Sequence, residues 1–151
     1  MDDYLLKILA CPKCKRKLTV FEKFAKCGFC KVSYPKIDGA WALITFEKKG
    51  AARVALDYDK LHKNQAGRIS DGSYEILASI SRGNRTLDIA CGQGFLEEIA
   101  PTTIGLDFSF EALKKAKKRG AKNLVWATAE NLPFINSSFD LAICAGSLEH
   151  F

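Results

Sequence analysis

Four of the six cysteines stand in two close pairs, Cys11-Pro-Lys-Cys14 and Cys27-Gly-Phe-Cys30, with twelve residues between the pairs. Two thiolates three positions apart on a tight turn converge on one ion, and two such knuckles complete a tetrahedron of sulfur. A filled tetrahedron leaves no position for water, so the expected ion is a structural zinc. Pro12 stiffens one knuckle and Gly28 eases the other. A disulfide set or a redox CxxC is the alternative reading of the same spacing. Cys91 and Cys144 lack such partners and are expected as small buried apolar residues.

A second concentration of chemistry lies in TLDIACGQGFLEE, from Thr86 to Glu98. It reads as strand, glycine turn and helix. Gly92 and Gly94 let the backbone pass close to a ligand, and the helix that follows presents free N–H groups. Asp107 ends the next strand, where an acidic side chain accepts hydrogen bonds from both ribose hydroxyls of a nucleoside. A dinucleotide fingerprint would place a third glycine at 97, but Glu97 stands there with Glu98 beside it. Acids at 88, 97 and 98 disfavour a pyrophosphate, so the expected ligand is a nucleoside that carries positive charge.

The elements that must position these groups follow from periodicity. Residues 3–9 group their apolar side chains on one helical side. Residues 18–24 and 32–34 read as short strands and residues 41–46 as another, which makes a zinc ribbon with a helix added. A core this small holds only with its metal. Residues 47–84 read as two helices joined by a glycine-bearing turn. From residue 85 onward strands and helices alternate: RTLDIA, FLEEIA, TIGLD, SFEALKKAKKRG, NLVWAT and FDLAICA. That order implies parallel βαβ units in an α/β sheet with helices on both faces. The expected domains are therefore a ribbon over 1–46, a helical linker over 47–84, and a Rossmann-like section over 85–151 that reaches four strands.

Composition narrows the classes. With 48% hydrophobic and 26% charged residues in 151, the chain is built to pack and not to remain disordered. Its longest apolar runs, such as AWALI at 40–44, fall far short of the roughly 18 residues of a membrane span. The opening MDDYLLKILACPKCK lacks the layout of a signal peptide. A cytoplasmic location without a membrane partner is expected. The net charge of +6 is uneven: residues 1–46 hold nine Lys/Arg against four Asp/Glu, 47–84 seven against five, and 85–151 seven against eight. A basic front end attracts phosphate-rich or acidic partners, though solubility alone produces the same coat.

The motifs TLDIACGQG, IGLDFS, AENLPFINSSFDLAIC and GSLEHF, in that order over residues 85–151, resemble those of class I S-adenosylmethionine-dependent methyltransferases. The likeness is strongest to the subgroup similar to ubiquinone/menaquinone biosynthesis methyltransferases. The resemblance implies S-adenosylmethionine as cofactor, with Asp88 and the turn through Ala90, Gly92 and Gly94 holding its methionine part and Asp107 its ribose. It further implies that Phe108 lies against the adenine ring and that Ala129, Glu130 and Leu132 border it. Two departures stand out: Ala90 where a glycine is usual, and Thr128 where an acid is frequent. The front section, ILACPKCKRKL followed by YPKIDGAWALI, resembles the small zinc-ribbon proteins that activate tRNA, rRNA and release-factor methyltransferases. This implies RNA or a translation-related protein as partner or target. The order of parts is similar to the large-subunit rRNA guanine methyltransferases, although their zinc ligands include a histidine and the fourth here is Cys30.

Among the remaining candidates, Asp140 is expected to cap its strand, and Glu149 and His150 follow that strand where open α/β sheets place ligands. Ser147 suits the N-cap of a helix start there. His62 reads as a solvated residue of a charged helix, KKAKKR at 114–119 as a wet face, and Trp41 and Trp126 as core. No catalytic residue is assigned, because transfer from a sulfonium demands alignment and not a dedicated base. The resemblance implies seven strands, so the chain is expected to be part of a longer enzyme or to meet a partner covering its fourth strand. A small-metabolite methyltransferase braced by the ribbon, or a non-catalytic adaptor of a partner methyltransferase, are the competing functions.

Overall fold

A computed structural model describes residues 3–45, 50–64 and 71–147. Helix α1 (Asp3–Ile8) leads into the first cysteine knuckle. Strands β1 (Thr19–Val20), β2 (Phe24–Lys26), β3 (Ser33–Ile37) and β4 (Ala40–Ala42) then form an antiparallel meander. The single strand expected over 18–24 is thus two strands. A turn through Glu22 and Lys23, closed by the Phe21 N–H on the Phe24 carbonyl at 2.8 Å, separates them. Stacked rings of Phe21 and Phe24 hold this turn where no glycine, proline or asparagine announces it.

Two helices follow, α2 (Ala51–Asn64) and α3 (Ser73–Ser81). The alternating section is β5 (Thr86–Ile89), α4 (Phe95–Ile99), β6 (Ile104–Asp107), α5 (Phe110–Lys118), β7 (Leu124–Trp126) and β8 (Leu141–Ile143). A single 3-10 turn at Ala129–Asn131 lies between the last two strands. Strands β7, β6, β5 and β8 pair in parallel in that spatial order, as the βαβ pattern requires.

The ribbon and this section are strips of one eight-stranded sheet. Strand β4 pairs in parallel with β7, placing Ala40, Trp41 and Ala42 beside Leu124, Val125 and Trp126. The alternation of side chains across this seam divides the core. On one face Trp41 and Val125 join Leu5, Ile8, Leu9, Leu87, Ile104 and Leu106 in a cluster that also holds Cys11 and Cys27. On the other, Ala40 and Leu124 pack with Leu113, Ala116 and Cys91. Trp41 is only 1% exposed, as expected of a core residue, whereas Trp126 is half-buried. Cys144 is also half-buried, against the expectation of a buried residue, because it sits just past the end of β8. No helix among the described residues is long and apolar enough to cross a membrane.

Candidate cofactor cleft and metal centre

A cleft opens at the carboxyl ends of β5, β6 and β8, beside the point where the strand order reverses. The turn after β5 supplies Ala90, Cys91, Gly92 and Gln93, the start of α4 supplies Phe95, and β6 and the residue after it supply Asp107 and Phe108. Ala90, Gly92 and Gly94 all have left-handed backbone, with φ of 61°, 56° and 75°. Gly94 is further required by a close approach: a Cβ there would stand 2.6 Å from Ala116 Cβ on α5. The departure at Ala90 thus places a side chain in a conformation that glycine adopts freely.

Asp107 is 4% exposed and anchors the turn, one oxygen accepting from the Gly92 N–H and the other from the Ser109 N–H, both at 2.8 Å. Burial raises its pKa against these hydrogen bonds and the nearby His62. Each oxygen keeps a lone pair for further donors, which is what two ribose hydroxyls need. Asp88 is brought near but lies behind the turn, 4% exposed and not among the residues lining the cleft. Burial, and then the charge of Asp107, push its pKa up to about 7. Glu97 is 1% exposed and is pushed well above the usual carboxylate range by burial and then by Asp88. Its carboxyl fills the space that Gly105, lacking a side chain, leaves on β6.

The roof of the cleft comes from the helical linker. Tyr58, Leu61 and His62 of α2 and Tyr74 of α3 line it, with the Tyr58 and Phe108 rings 5.0 Å apart. The expectation of a solvated His62 is therefore corrected. Its Nδ1 is buried without a hydrogen-bond partner among the described residues, and a Cβ on Gly92 would lie 3.8 Å from its Cε1. The reason is docking of α2 onto α5: Asp59 accepts from Ser109 Oγ at 2.6 Å and from the Glu111 N–H at 3.1 Å, and Lys115 donates to the His62 carbonyl. No local pattern in a charged helix carries that information.

Ala129, Glu130 and Leu132 line a different depression, shared with Lys15, Phe134 and Phe139, and not the cleft of Asp107. The loop that carries them is tied to the first knuckle. Asn131 donates to the Pro12 carbonyl at 3.0 Å and to Thr45 Oγ1 at 3.1 Å, while Lys15 donates to Asn131 Oδ1 and to the Leu132 carbonyl. The Ala10 N–H meets the Pro133 carbonyl at 2.8 Å, and the Ile135 N–H meets the Ile8 carbonyl at 2.9 Å.

The four ribbon sulfurs, Cys11, Cys14, Cys27 and Cys30, lie within 4.8 Å of one another, the Cys14–Cys27 pair at 3.5 Å. A tetrathiolate zinc with bonds of about 2.3 Å has sulfur–sulfur edges of roughly 3.8 Å, so the donor set fits that ion. The knuckles are alike in backbone: Lys15 and Lys31, each the residue after a pair, have φ of 62° and 58° and return their N–H to the Cys11 and Cys27 carbonyls. No disulfide joins any of the six cysteines. Burial raises the Cys11 thiol, but the Tyr34 hydroxyl at 3.3 Å and backbone N–H groups outweigh it and lower its pKa to about 6. Hydrogen bonding to Cys14, with burial, raises Cys30 to about 12. Thiols that compete for one negative charge are what a divalent cation would resolve.

Asp140 forks onto Arg85, with Nε at 2.8 Å and Nη2 at 2.6 Å, and ties the entry of β8 to that of β5. The guanidinium holds its carboxyl well below the usual range. Along 114–119, Lys114 pairs with Glu111, and Arg119 pairs with Glu98 while lying over the Phe95 ring. Glu149 and His150 lie outside the described residues.

Residues 87–151 match the family model described as a methyltransferase domain. An uncharacterized protein of Methanocaldococcus jannaschii is 44% identical over 99 residues, which is 65% of this chain and 39% of that protein. A protein of Encephalitozoon cuniculi, provisionally named a methyltransferase, is 31% identical over 70 residues, 46% of this chain and 33% of that protein. The chain thus spans between a third and two fifths of the curated relatives it matches. The alternating section is thus similar to a methyltransferase domain, the kind of domain that uses S-adenosylmethionine.

Proposed function

We propose that this chain forms the cofactor-binding part of a class I S-adenosylmethionine-dependent methyltransferase that acts on RNA or a translation-related target, with the zinc ribbon docking the target or partner. The observation that carries the reading is Asp107, a buried carboxylate at the end of β6 inside a cleft at the strand-order reversal, within the segment that matches a methyltransferase domain. When bound, S-adenosylmethionine supplies the methyl group on a sulfonium. The chain's own residues bind and align: Asp107 takes the ribose hydroxyls, the Ala90–Gly94 turn passes beneath the methionine part with Asp88 behind it, and Phe108 offers a ring to the adenine. By the resemblance Ala129, Glu130 and Leu132 would border the adenine, although they line a depression separate from the cleft. Tyr58 and His62 roof the site and exclude water, which favours a transfer limited by alignment. Cys11, Cys14, Cys27 and Cys30 would hold zinc as a structural ion.

Calorimetry of the zinc-loaded chain with S-adenosylmethionine tests this. Saturable heat that Asp107→Ala abolishes, with zinc content unchanged, is expected. Retained affinity in the variant overturns the site, and no heat at millimolar cofactor favours the non-catalytic adaptor. The bonds from the ribbon to Asn131, Pro133 and Ile135 favour a second reading, in which the ribbon braces a small-molecule methyltransferase. Methyl incorporation from labelled cofactor into RNA, against a small-molecule extract, separates the two.

A further inference from the structure

We propose that the outward face of the ribbon sheet is a docking platform for single-stranded RNA, with Phe21 and Phe24 as the base-stacking pair and the surrounding lysines as phosphate contacts. This deepens the reading of an RNA-directed methyltransferase and rests on it for the link to methyl transfer.

The register fixes the face. Lys26 stands between Thr19 and Ser33, and Phe24 opposite Pro35, while the intervening Ala25 and Tyr34 turn inward and are buried. One side of the meander therefore builds the core around the cysteines, and the other presents Phe24, Lys26, Ser33, Pro35 and Ile37 to solvent. A ribbon this small would ordinarily spend its aromatic rings on the core. Here Phe24 is 39% exposed, Phe21 47% and Ile37 37%.

The geometry of the pair is that of a stack left open. The Phe21 and Phe24 rings lie 4.6 Å apart at an interplanar angle of 21°. Parallel rings at that spacing leave outer faces onto which a further flat ring can add, and every base has such a face. At the knuckle end of the ribbon, Phe29 is 61% exposed with the Arg16 guanidinium 3.8 Å from its centroid, a second planar group of the kind that receives unpaired bases.

Charge selects the occupant. Residues 11–45 hold eight Lys/Arg, among them Lys23 in the turn between the two phenylalanines and Lys26 two residues past Phe24 on the same strand face, against only Glu22 and Asp38. Subtracting the two negative charges of a tetrathiolate zinc leaves the segment strongly positive. Cations interleaved with exposed rings match a polyanion whose bases are free to stack. A duplex hides those base faces, so the fitting form is a single strand.

Fluorescence anisotropy of the full zinc-loaded chain with a labelled single-stranded RNA 12-mer, titrated between 50 and 200 mM salt, tests the assignment. Saturable binding is expected, weakened about 10- to 100-fold in the double variant Phe21→Ala/Phe24→Ala with little change in salt dependence. The double variant Lys23→Gln/Lys26→Gln should instead shallow the slope of log affinity on log salt by about 1.4, roughly 0.7 for each phosphate no longer neutralised. Both pairs are exposed, so unchanged zinc content and circular dichroism will show that the variants fold. Binding by the phenylalanine variant equal to the unsubstituted chain overturns the proposal, as does equal affinity for the duplex form or no saturation below about 100 μM. Self-association through this face without RNA binding, read by light scattering and lost in the same variant, assigns the face to a protein contact and overturns it too. Calorimetry with S-adenosylmethionine on the same samples separates the two readings. RNA binding without cofactor binding leaves the platform standing and removes the methyltransferase role, and the reverse removes the platform alone.

Discussion

At the scale of the residue, the clearest tension lies under the glycine turn. Ala90 holds a left-handed φ of 61°, a conformation that costs a residue with a Cβ about 1–2 kcal/mol. Ala90→Gly relieves it while loosening the unfolded chain by roughly 0.4–1 kcal/mol. The variant should therefore melt higher by thermal denaturation, and a lower melting temperature would show that the Ala90 methyl packs usefully. Asp88 makes a second prediction, with a sign. Its pKa is raised to about 7 in the folded chain by burial and by Asp107, above the ordinary carboxylate value it has when unfolded. Its contribution to stability is thus fully present below about pH 4 and is lost as pH rises toward 7. Asp88→Asn removes that loss, so with zinc saturating the variant should gain on the unsubstituted chain between pH 5 and pH 8. Melting curves that stay parallel across this range contradict the assignment. Both the glycine turn and Asp107 were legible in the sequence because their chemistry is local, fixed by neighbours within a strand and a turn. Glu97 was legible only as a poor fit for pyrophosphate; that it occupies the space over Gly105 depends on a strand seven residues further along and on the packing of α4.

At the scale of the element, α2 is more than a linker. Its Asp59 accepts from Ser109 Oγ and from the Glu111 N–H at the start of α5, and this places Tyr58 and His62 over the cleft. Asp59→Ala should cost about 1–2 kcal/mol, the range for a lost capping interaction, and weaken S-adenosylmethionine binding by opening the roof. Hydrogen exchange is the direct measurement: amides of α2 should lose protection while those of the ribbon keep theirs, and an unchanged α2 refutes the docking role. The helix itself was legible from composition, but its position was not, because a charged amphipathic pattern says that one side is covered and not by what. The same limit explains the ribbon. The knuckles announce themselves by spacing, whereas the turn at Glu22 and Lys23 is made by two stacked phenylalanines and gives no turn signature. Parallel pairing of β4 with β7 joins residues more than eighty positions apart, and no local pattern of either strand encodes it.

At the scale of the whole molecule, that pairing makes the four-cysteine cluster and the Asp107 cleft parts of one mechanical unit. Strand β4 lies two strands from β6, whose end carries Asp107, with only β7 between them. The core cluster that contains Cys11 and Cys27 also contains Leu106 of β6 and Val125 of β7. The loop after β7 is held on the first knuckle through Asn131 and Pro12 and through the paired backbone of residues 8–10 and 133–135. A core as small as the ribbon's would draw folding free energy from the zinc proposed for its four cysteines, so removing that zinc should loosen the knuckle first and then the loop and seam that rest on it. Affinity for S-adenosylmethionine is therefore expected to fall on chelation and to return on adding zinc back, although none of the four cysteines lines the cleft. Cys27→Ser should reproduce the loss without chelator. Asn131→Ala should give a smaller loss of cofactor affinity with zinc content intact, since it cuts the link between knuckle and loop and leaves the metal centre whole. Calorimetry beside metal analysis reads all three. Cofactor affinity that is indifferent to zinc would mean that the seam between β4 and β7 holds the loop by itself and that the two centres are independent.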